Sequence, residues 1–286
     1  MPASLRFCLI GHPLGHTLSP FLHDRLFALS GLAGRYTAID LLPERLSVDL
    51  PTLLKRIAGC NVTIPHKQAV LPFCDRLEGK AARYQTVNCI AVRPDAVIGF
   101  NTDADGFLSA LSGAGLRLQG VVAVIGAGGA GTVFACEAAA AGAEVLLVSR
   151  RRERADALRD RVLRTIPGAA CRVLDRAEDL PAVDLLLNAS PVGMFPNVDA
   201  SPVPAALLSR VGGVFDAVYN PQETRLLREA RAAGIPALGG MTMLVRQAAL
   251  SHTIWYGASF SDEALDALAQ AADAELTRLR QWRDLF

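Results

Sequence analysis

The chain has 286 residues, of which 51% are hydrophobic and 20% charged, an ordinary globular composition that excludes disordered and collagen-like classes. It exceeds the usual single domain of about 100–200 residues, so two domains are expected. With 29 Lys+Arg against 28 Asp+Glu there is no global field to recruit nucleic acid or an anionic membrane, so any bound anion needs local groups.

No apolar run approaches a transmembrane span, and the first residues reach a Gly-Pro loop too early for a signal peptide, which predicts a cytoplasmic protein. Cys8, Cys60, Cys74, Cys89, Cys136 and Cys171 form no C-x-x-C pair and read as buried free thiols. His12, His16, His23 and His66 crowd the start of the chain, but without an H-E-x-x-H arrangement or acidic company, so no metal is expected.

In chain order, Leu5 to Ile10 reads as a strand and Pro20 to Ser30 as a helix, with Ser19 as its cap and Pro20 suited to its first turn. Arg35 to Asp40, Gly59 to Ile64 and Val87 to Val92 read as further strands. A turn at 93–96 leads into Val97 to Phe100, a hairpin partner. A helix from Thr102 to about Leu111, with Asp103 in its first turn, marks a boundary between domains.

From 121 to 239 the pattern is β-α-β-α-β-β-α-β, with strands at 121–125, 144–149, 171–174, 183–188 and 213–218. Such alternation predicts a parallel doubly wound sheet. Helices from Met241 to Gly257 and from Asp262 to about Arg280, the second with a cap at Ser261 and Asp262, close the chain. The expected fold is therefore α/β with two domains. A substrate domain spans 1–104 and is completed by the helices of 240–286, and a Rossmann-type domain spans 105–239.

Val121 to Gly131 places G-x-G-x-x-G between a strand and a helix. Gly126 suits the tight turn, Gly128 the approach of a pyrophosphate, and Gly131 the close packing of helix on sheet. Ala127, Gly129 and Ala130 complete the loop, and the helix N-terminus supplies N–H groups for the phosphate. The next strand ends in Ser149, Arg150 and Arg151, where an NAD site would usually carry an acidic residue against the ribose. Guanidinium groups there suit a 2′-phosphate, so NADP is the expected cofactor.

Four patterns outside this loop carry a resemblance. They are Gly11-His12-Pro13-Leu14-Gly15-His16-Thr17-Leu18-Ser19-Pro20, Asn61-Val62-Thr63-Ile64-Pro65-His66-Lys67, Val87-Asn88, and Asn101-Thr102-Asp103. Asn188 to Met194, Asp216 to Pro221 with Thr224, and Gly240 with Met243 to Ala248 extend it. In this order the motifs resemble the shikimate dehydrogenase family from residue 11 to about 257. Thr17 stands where the family usually has serine, and Gly79 stands about where many members have an acidic residue near the cofactor.

The resemblance implies NADP-dependent reduction of 3-dehydroshikimate to shikimate, with Lys67 and Asp103 in acid–base roles. The residue types suit that chemistry. Thr17 and Ser19 hydroxyls beside a helix N-terminus can hold a carboxylate, and Asn88, Asp103 and Gln247 offer donors and acceptors to ring hydroxyls. The family pattern adds Thr63 and Tyr219 on the substrate side, and Ala189, Ser190, Ala217 and Gly240 on the cofactor side. A cleft between the domains would hold the ring, in a monomer or homodimer. A quinate or mixed quinate/shikimate dehydrogenase would use the same residues, though Ser19 stands where quinate-accepting relatives often have Thr. A nonenzymatic NADP-binding sensor is the alternative of another class, and the presence of both Lys67 and Asp103 argues against it.

Overall fold

The structure is a computed structural model and describes residues 5–14 and 17–283. Gly15 and His16 of the first motif, and the N-terminal four residues, lie outside the described residues. The chain divides into two compact units, residues 1–106 with 245–286 and residues 107–244.

The first unit contains β1 (Leu5–Gly11), α1 (Ser19–Ser30), β2 (Gly34–Asp40), α2 (Leu46–Leu54), β3 (Gly59–Val62), β4 (Arg76–Leu77), α3 (Lys80–Tyr84), β5 (Cys89–Val92) and β6 (Val97–Phe100). Its sheet runs β2-β1-β3-β5-β6-β4. β1 pairs in parallel with β2 and β3, whereas β5 is antiparallel to both β3 and β6. The expected hairpin thus forms, closed by Arg93 N–H donating to Ala96 O. One sheet face buries Ile10, Leu46, Leu50, Val62 and Ile90. The other buries Phe7, Phe27, Tyr36 and Trp255.

α4 (Thr102–Gly113) leads into the second unit, which holds β7 (Val121–Ile125), α5 (Gly129–Ala140), β8 (Glu144–Val148), α6 (Arg152–Thr165), β9 (Cys171–Leu174), β10 (Leu185–Asn188), β11 (Val214–Asp216), α7 (Arg225–Ala232) and β12 (Ala237–Gly239). Its strands run β12-β11-β10-β7-β8-β9, all parallel as the alternating pattern predicts, but there are six and not the five expected, the additional one being β12. Between the strands at 183–188 and 213–218 the chain forms a 3₁₀ segment at Ala205–Arg210, and α7 follows β11.

α8 (Met241–Tyr256) and α9 (Asp262–Arg283) end the chain. Trp255 of α8 stacks on Phe7 at 4.4 Å and donates its indole N–H to Ile90 O at 3.0 Å. A Cβ added at Gly59 would lie 2.2 Å from that indole nitrogen, so β3 needs glycine where α8 crosses it. Ser261 Oγ accepts from Ala264 N–H and so caps α9, as expected.

Three of the crowded histidines, all among the described residues, have structural partners. His66 bonds Leu41 O at 2.7 Å, His12 pairs with Asp40, and His23 is buried against His252. The six cysteines are free thiols, and five of them are buried.

Candidate active site

Lys67 follows β3 in the loop opened by Thr63, and its Nζ donates to Asp103 Oδ2 at 2.5 Å. Both side chains are largely covered, at 19% and 12% exposure, yet each keeps an accessible edge. Asp103 lies in the first turn of α4, where a carboxylate faces the positive end of the helix. Its second oxygen accepts from Asn88 Nδ2 at 2.8 Å. Asn88 Oδ1 in turn accepts from Thr102 N–H at 2.7 Å, and Gln247 Oε1 of α8 lies 3.5 Å from both Asn88 Nδ2 and Thr102 Oγ1. Lys67, Asn88, Asp103 and Gln247, far apart in the chain, therefore meet in one hydrogen-bonded group.

The residues that hold this group in place carry a weaker sequence signal. Asn101 caps α4, accepting from Ala104 N–H at 3.3 Å while its amide donates to Thr86. Buried Asn61 donates to Asn88 O and to Ser251 Oγ, and accepts from Tyr36 O–H at 2.9 Å. The backbone N–H of Val87 donates to Lys67 O at 2.8 Å, which ties the lysine loop to the start of the hairpin. Thr102 enters the sequence reading only as part of a motif, but its N–H and hydroxyl fix the Asn88 amide.

Thr17 and Ser19 form a separate pair at the start of α1. Thr17 Oγ1 donates to Ser19 Oγ at 3.1 Å and accepts from Ser19 N–H at 3.2 Å. The expectation that Ser19 caps α1 is corrected: Leu18 occupies the cap position without a side-chain cap bond, and Ser19 is already helical. Thr63 Cγ2 would lie 2.3 Å from a Cβ at Gly11, so glycine there lets the two loops approach. Tyr219 belongs to the second unit, where burial pushes its phenol above the ordinary range.

In the second unit Gly126 has φ +108°, a conformation that favours glycine, and a Cβ there would meet Ala189 and Ser190 at 3.0 Å. At Gly131 a Cβ would lie 2.1 Å from Gly126 O, which excludes larger residues, whereas the corresponding side of Gly128 is open. Gly128 begins α5 without a side-chain cap, and Thr132 N–H is bonded to Gly128 O. The N–H groups of Gly129, Ala130 and Gly131 therefore have no carbonyl within the helix and are available to a phosphate.

Ser149 Oγ lies 3.4 Å from Arg151 N–H. Arg152 is tied to Asp156 and Asp175, but among the described residues Arg150 and Arg151 have no ion pair. Ala189, Ser190, Ala217 and Gly240 gather at the C-terminal ends of β10 to β12, and a Cβ at Gly240 would lie 2.3 Å from Ala217 O. An open glycine loop, a helix N-terminus and unpaired guanidinium groups at the end of the second strand fit a phosphorylated dinucleotide.

A parallel sheet with this loop, together with a partly buried lysine and carboxylate pair in the other unit, set in the loop after β3 and the first turn of α4, defines a dinucleotide-dependent oxidoreductase of two-domain α/β type. Comparison with known proteins narrows the class. Residues 9–90 match the shikimate dehydrogenase substrate binding domain, and residues 122–186 match ketopantoate reductase PanE/ApbA, which spans the first part of the dinucleotide sheet.

The shikimate dehydrogenase (NADP(+)) of one Thermus thermophilus strain is 39% identical over 94% of this chain and 98% of its own. That of Methanopyrus kandleri is 40% identical over 87% of this chain and 89% of its own. Among solved structures, the shikimate 5-dehydrogenase of a second Thermus thermophilus strain, in complex with NADP(H) and shikimate, superposes with a TM-score of 0.84 at 37% identity, covering 94% of this chain and 99% of that one. The chain belongs to the shikimate dehydrogenase family. A more distant structural relative, the 5-ketofructose reductase of a Gluconobacter strain, has a TM-score of 0.83 at 28% identity, covering 95% of this chain and 99% of that one.

Proposed function

We propose that this chain is an NADP-dependent shikimate dehydrogenase that reversibly reduces 3-dehydroshikimate to shikimate. The observation that carries the reading is the bonding of Lys67 to Asp103, with Asn88 and Gln247 beside them, in a chain aligned along its length with NADP-dependent shikimate dehydrogenases. When bound, NADPH supplies the hydride.

The chain's own groups position the ring and manage the proton. As the ketone is reduced, negative charge develops on its oxygen. An ammonium at Lys67 Nζ stabilises that charge and delivers the proton. In the oxidative direction Lys67 receives the proton from the substrate hydroxyl. Asp103 holds Lys67 at 2.5 Å, and its carboxylate can also accept from a ring hydroxyl. Asn88 supports Asp103 from behind, and Gln247 offers a further polar contact.

Thr17 and Ser19 hold the substrate carboxylate, with Thr63 and Tyr219 contributing further contacts. Gly126 to Gly131 take the pyrophosphate, Ser149 to Arg151 the 2′-phosphate, and Ala189, Ser190, Ala217 and Gly240 the nicotinamide side. No described helix is long and apolar enough to cross a membrane. The reading carries a cytoplasmic location and a monomer or homodimer, which fractionation and sedimentation would test.

The functional test is spectrophotometric. Formation of NADPH from NADP is followed with shikimate or quinate, and NAD is run in parallel. The expected result is fastest turnover with shikimate and NADP. Quinate turnover at an equal rate would favour the mixed dehydrogenase, and NADP binding without turnover of either acid would favour a sensor. Because a structural relative is a 5-ketofructose reductase, 5-ketofructose with NADPH is a further arm, with little turnover expected.

A further inference from the structure

Asp216 is a fully buried carboxylate at the end of β11, outside the acid–base group. Its Oδ1 accepts from Asn188 Nδ2 at 2.8 Å and from Val218 N–H at 3.0 Å, and its Oδ2 accepts from Thr224 Oγ1 at 2.6 Å. Every one of these neighbours donates, which suits an ionised carboxylate. Burial pushes the group up to about 6, so it is mostly ionised at neutral pH.

The bonds extend outward from Asp216. Asn188, held through its amide, presents Oδ1 to Ser190 N–H at 3.0 Å and to Ser190 O–H at 2.7 Å. Ser190 Oγ then accepts from Val192 N–H at 3.3 Å, which closes the turn after β10. That turn is the wall facing Gly126, where an added Cβ would meet Ala189 and Ser190 at 3.0 Å. On the other side Val218, fixed by the second bond to Oδ1, accepts from Gly240 N–H at 3.2 Å. The Ser190 turn beside Gly126 and the contact of Val218 with Gly240, both at positions assigned to the cofactor, are thus referenced to one carboxylate.

We propose that Asp216 is a positioning residue for dinucleotide binding, acting through Asn188 on the Ser190 turn and through Val218 on the segment that meets Gly240. The proposal rests on the NADP-dependent reading above. It predicts that the carboxylate's shape and acceptor atoms matter to cofactor affinity beyond their effect on stability. Asp216→Ala removes all three acceptor contacts and frees the Asn188 amide to turn. Asp216→Asn keeps the planar shape and can keep an oxygen toward Asn188 and Val218.

The experiment is direct NADPH binding by fluorescence titration, with the thermal midpoint of each variant recorded separately. Asp216→Ala is expected to weaken NADPH binding at least tenfold, and Asp216→Asn to recover to within about threefold of wild type. A folded Asp216→Ala protein that binds NADPH within twofold of wild type would overturn the proposal, whatever its midpoint. So would an Asn variant as weak as the Ala variant. If the Ala variant does not fold, Thr224→Val decides at preserved side-chain volume: it removes the bond to Oδ2 together with the cap bond from Leu227 N–H, and the thermal midpoint reads the loss of the cap separately. Three- to tenfold weaker binding is expected, and unchanged affinity would contradict the role. Wild-type protein that binds no NADPH would overturn both this proposal and the functional reading, whereas wild-type binding with normal affinity in the variants overturns this proposal alone.

Discussion

Arg150 and Ser19 show how a residue can be read through what it lacks. Arg150 has no ion pair among the described residues, while Arg152 two positions on is held by two aspartates. A free guanidinium at that strand end is available for charge-assisted bonds to a 2′-phosphate, each worth about 1.5–3 kcal/mol. Arg150→Ala should therefore reduce efficiency with NADP by about tenfold or more and leave efficiency with NAD nearly unchanged. An unaltered ratio of kcat/KM for the two cofactors would remove Arg150 from the proposed site.

Ser19 has no cap bond to lose. Ser19→Ala should accordingly cost well under the ~1 kcal/mol typical of a lost cap, while raising the KM for shikimate more than that for NADP. A drop in thermal stability with unchanged KM values would mean that the hydroxyl supports the loop and not the substrate.

At the scale of elements, α1 and α8 are joined by a buried histidine pair. His23 Nδ1 and His252 Nε2 are 2.8 Å apart, and His252 Nδ1 also bonds the Tyr256 hydroxyl. Burial pulls His252 down to about 3 and His23 well below the ordinary value, so both remain neutral in the folded protein across the usual pH range. In the unfolded chain they take up protons below about pH 6.5. Their contribution is therefore complete above that pH and falls as pH drops toward about 3, by about 2 kcal/mol near pH 5 for His252 alone. The thermal midpoint measured from pH 4 to pH 8 should fall more steeply for wild type than for His252→Gln. Parallel curves would show that this pair does not govern acid stability.

The same scale shows where local pattern was sufficient. Runs such as 121–125 and 145–148 declare buried strands through continuous apolar residues. β3 stops at Val62, short of the expected Ile64, because Thr63 O accepts from His66 N–H in a turn that leads into the loop carrying Lys67. The two-residue β4 and the three-residue β12 are too short to show a period, and long-range pairing defines them.

For the whole molecule, the glycine loop was legible because strand, turn and helix are consecutive in sequence. Lys67, Asn88 and Asp103 were legible because each sits in a compact motif. The supports were less so: Asn61 meets Ser251 across 190 positions and Asp216 meets Asn188 across 28, pairings that no local spacing encodes. A fold that brings such partners together gives a lysine and an aspartate one bonded geometry, and the proposed reaction depends on that lysine.

The most direct measurement is steady-state NADPH formation from shikimate by wild type, Lys67→Ala and Lys67→Met, with NADPH binding measured on the same preparations. Wild type should turn over, and both variants should bind NADPH but be slower by about 100- to 10,000-fold, the range expected for a positioned acid–base group. Turnover by either folded variant within a few-fold of wild type would contradict the acid–base role of Lys67.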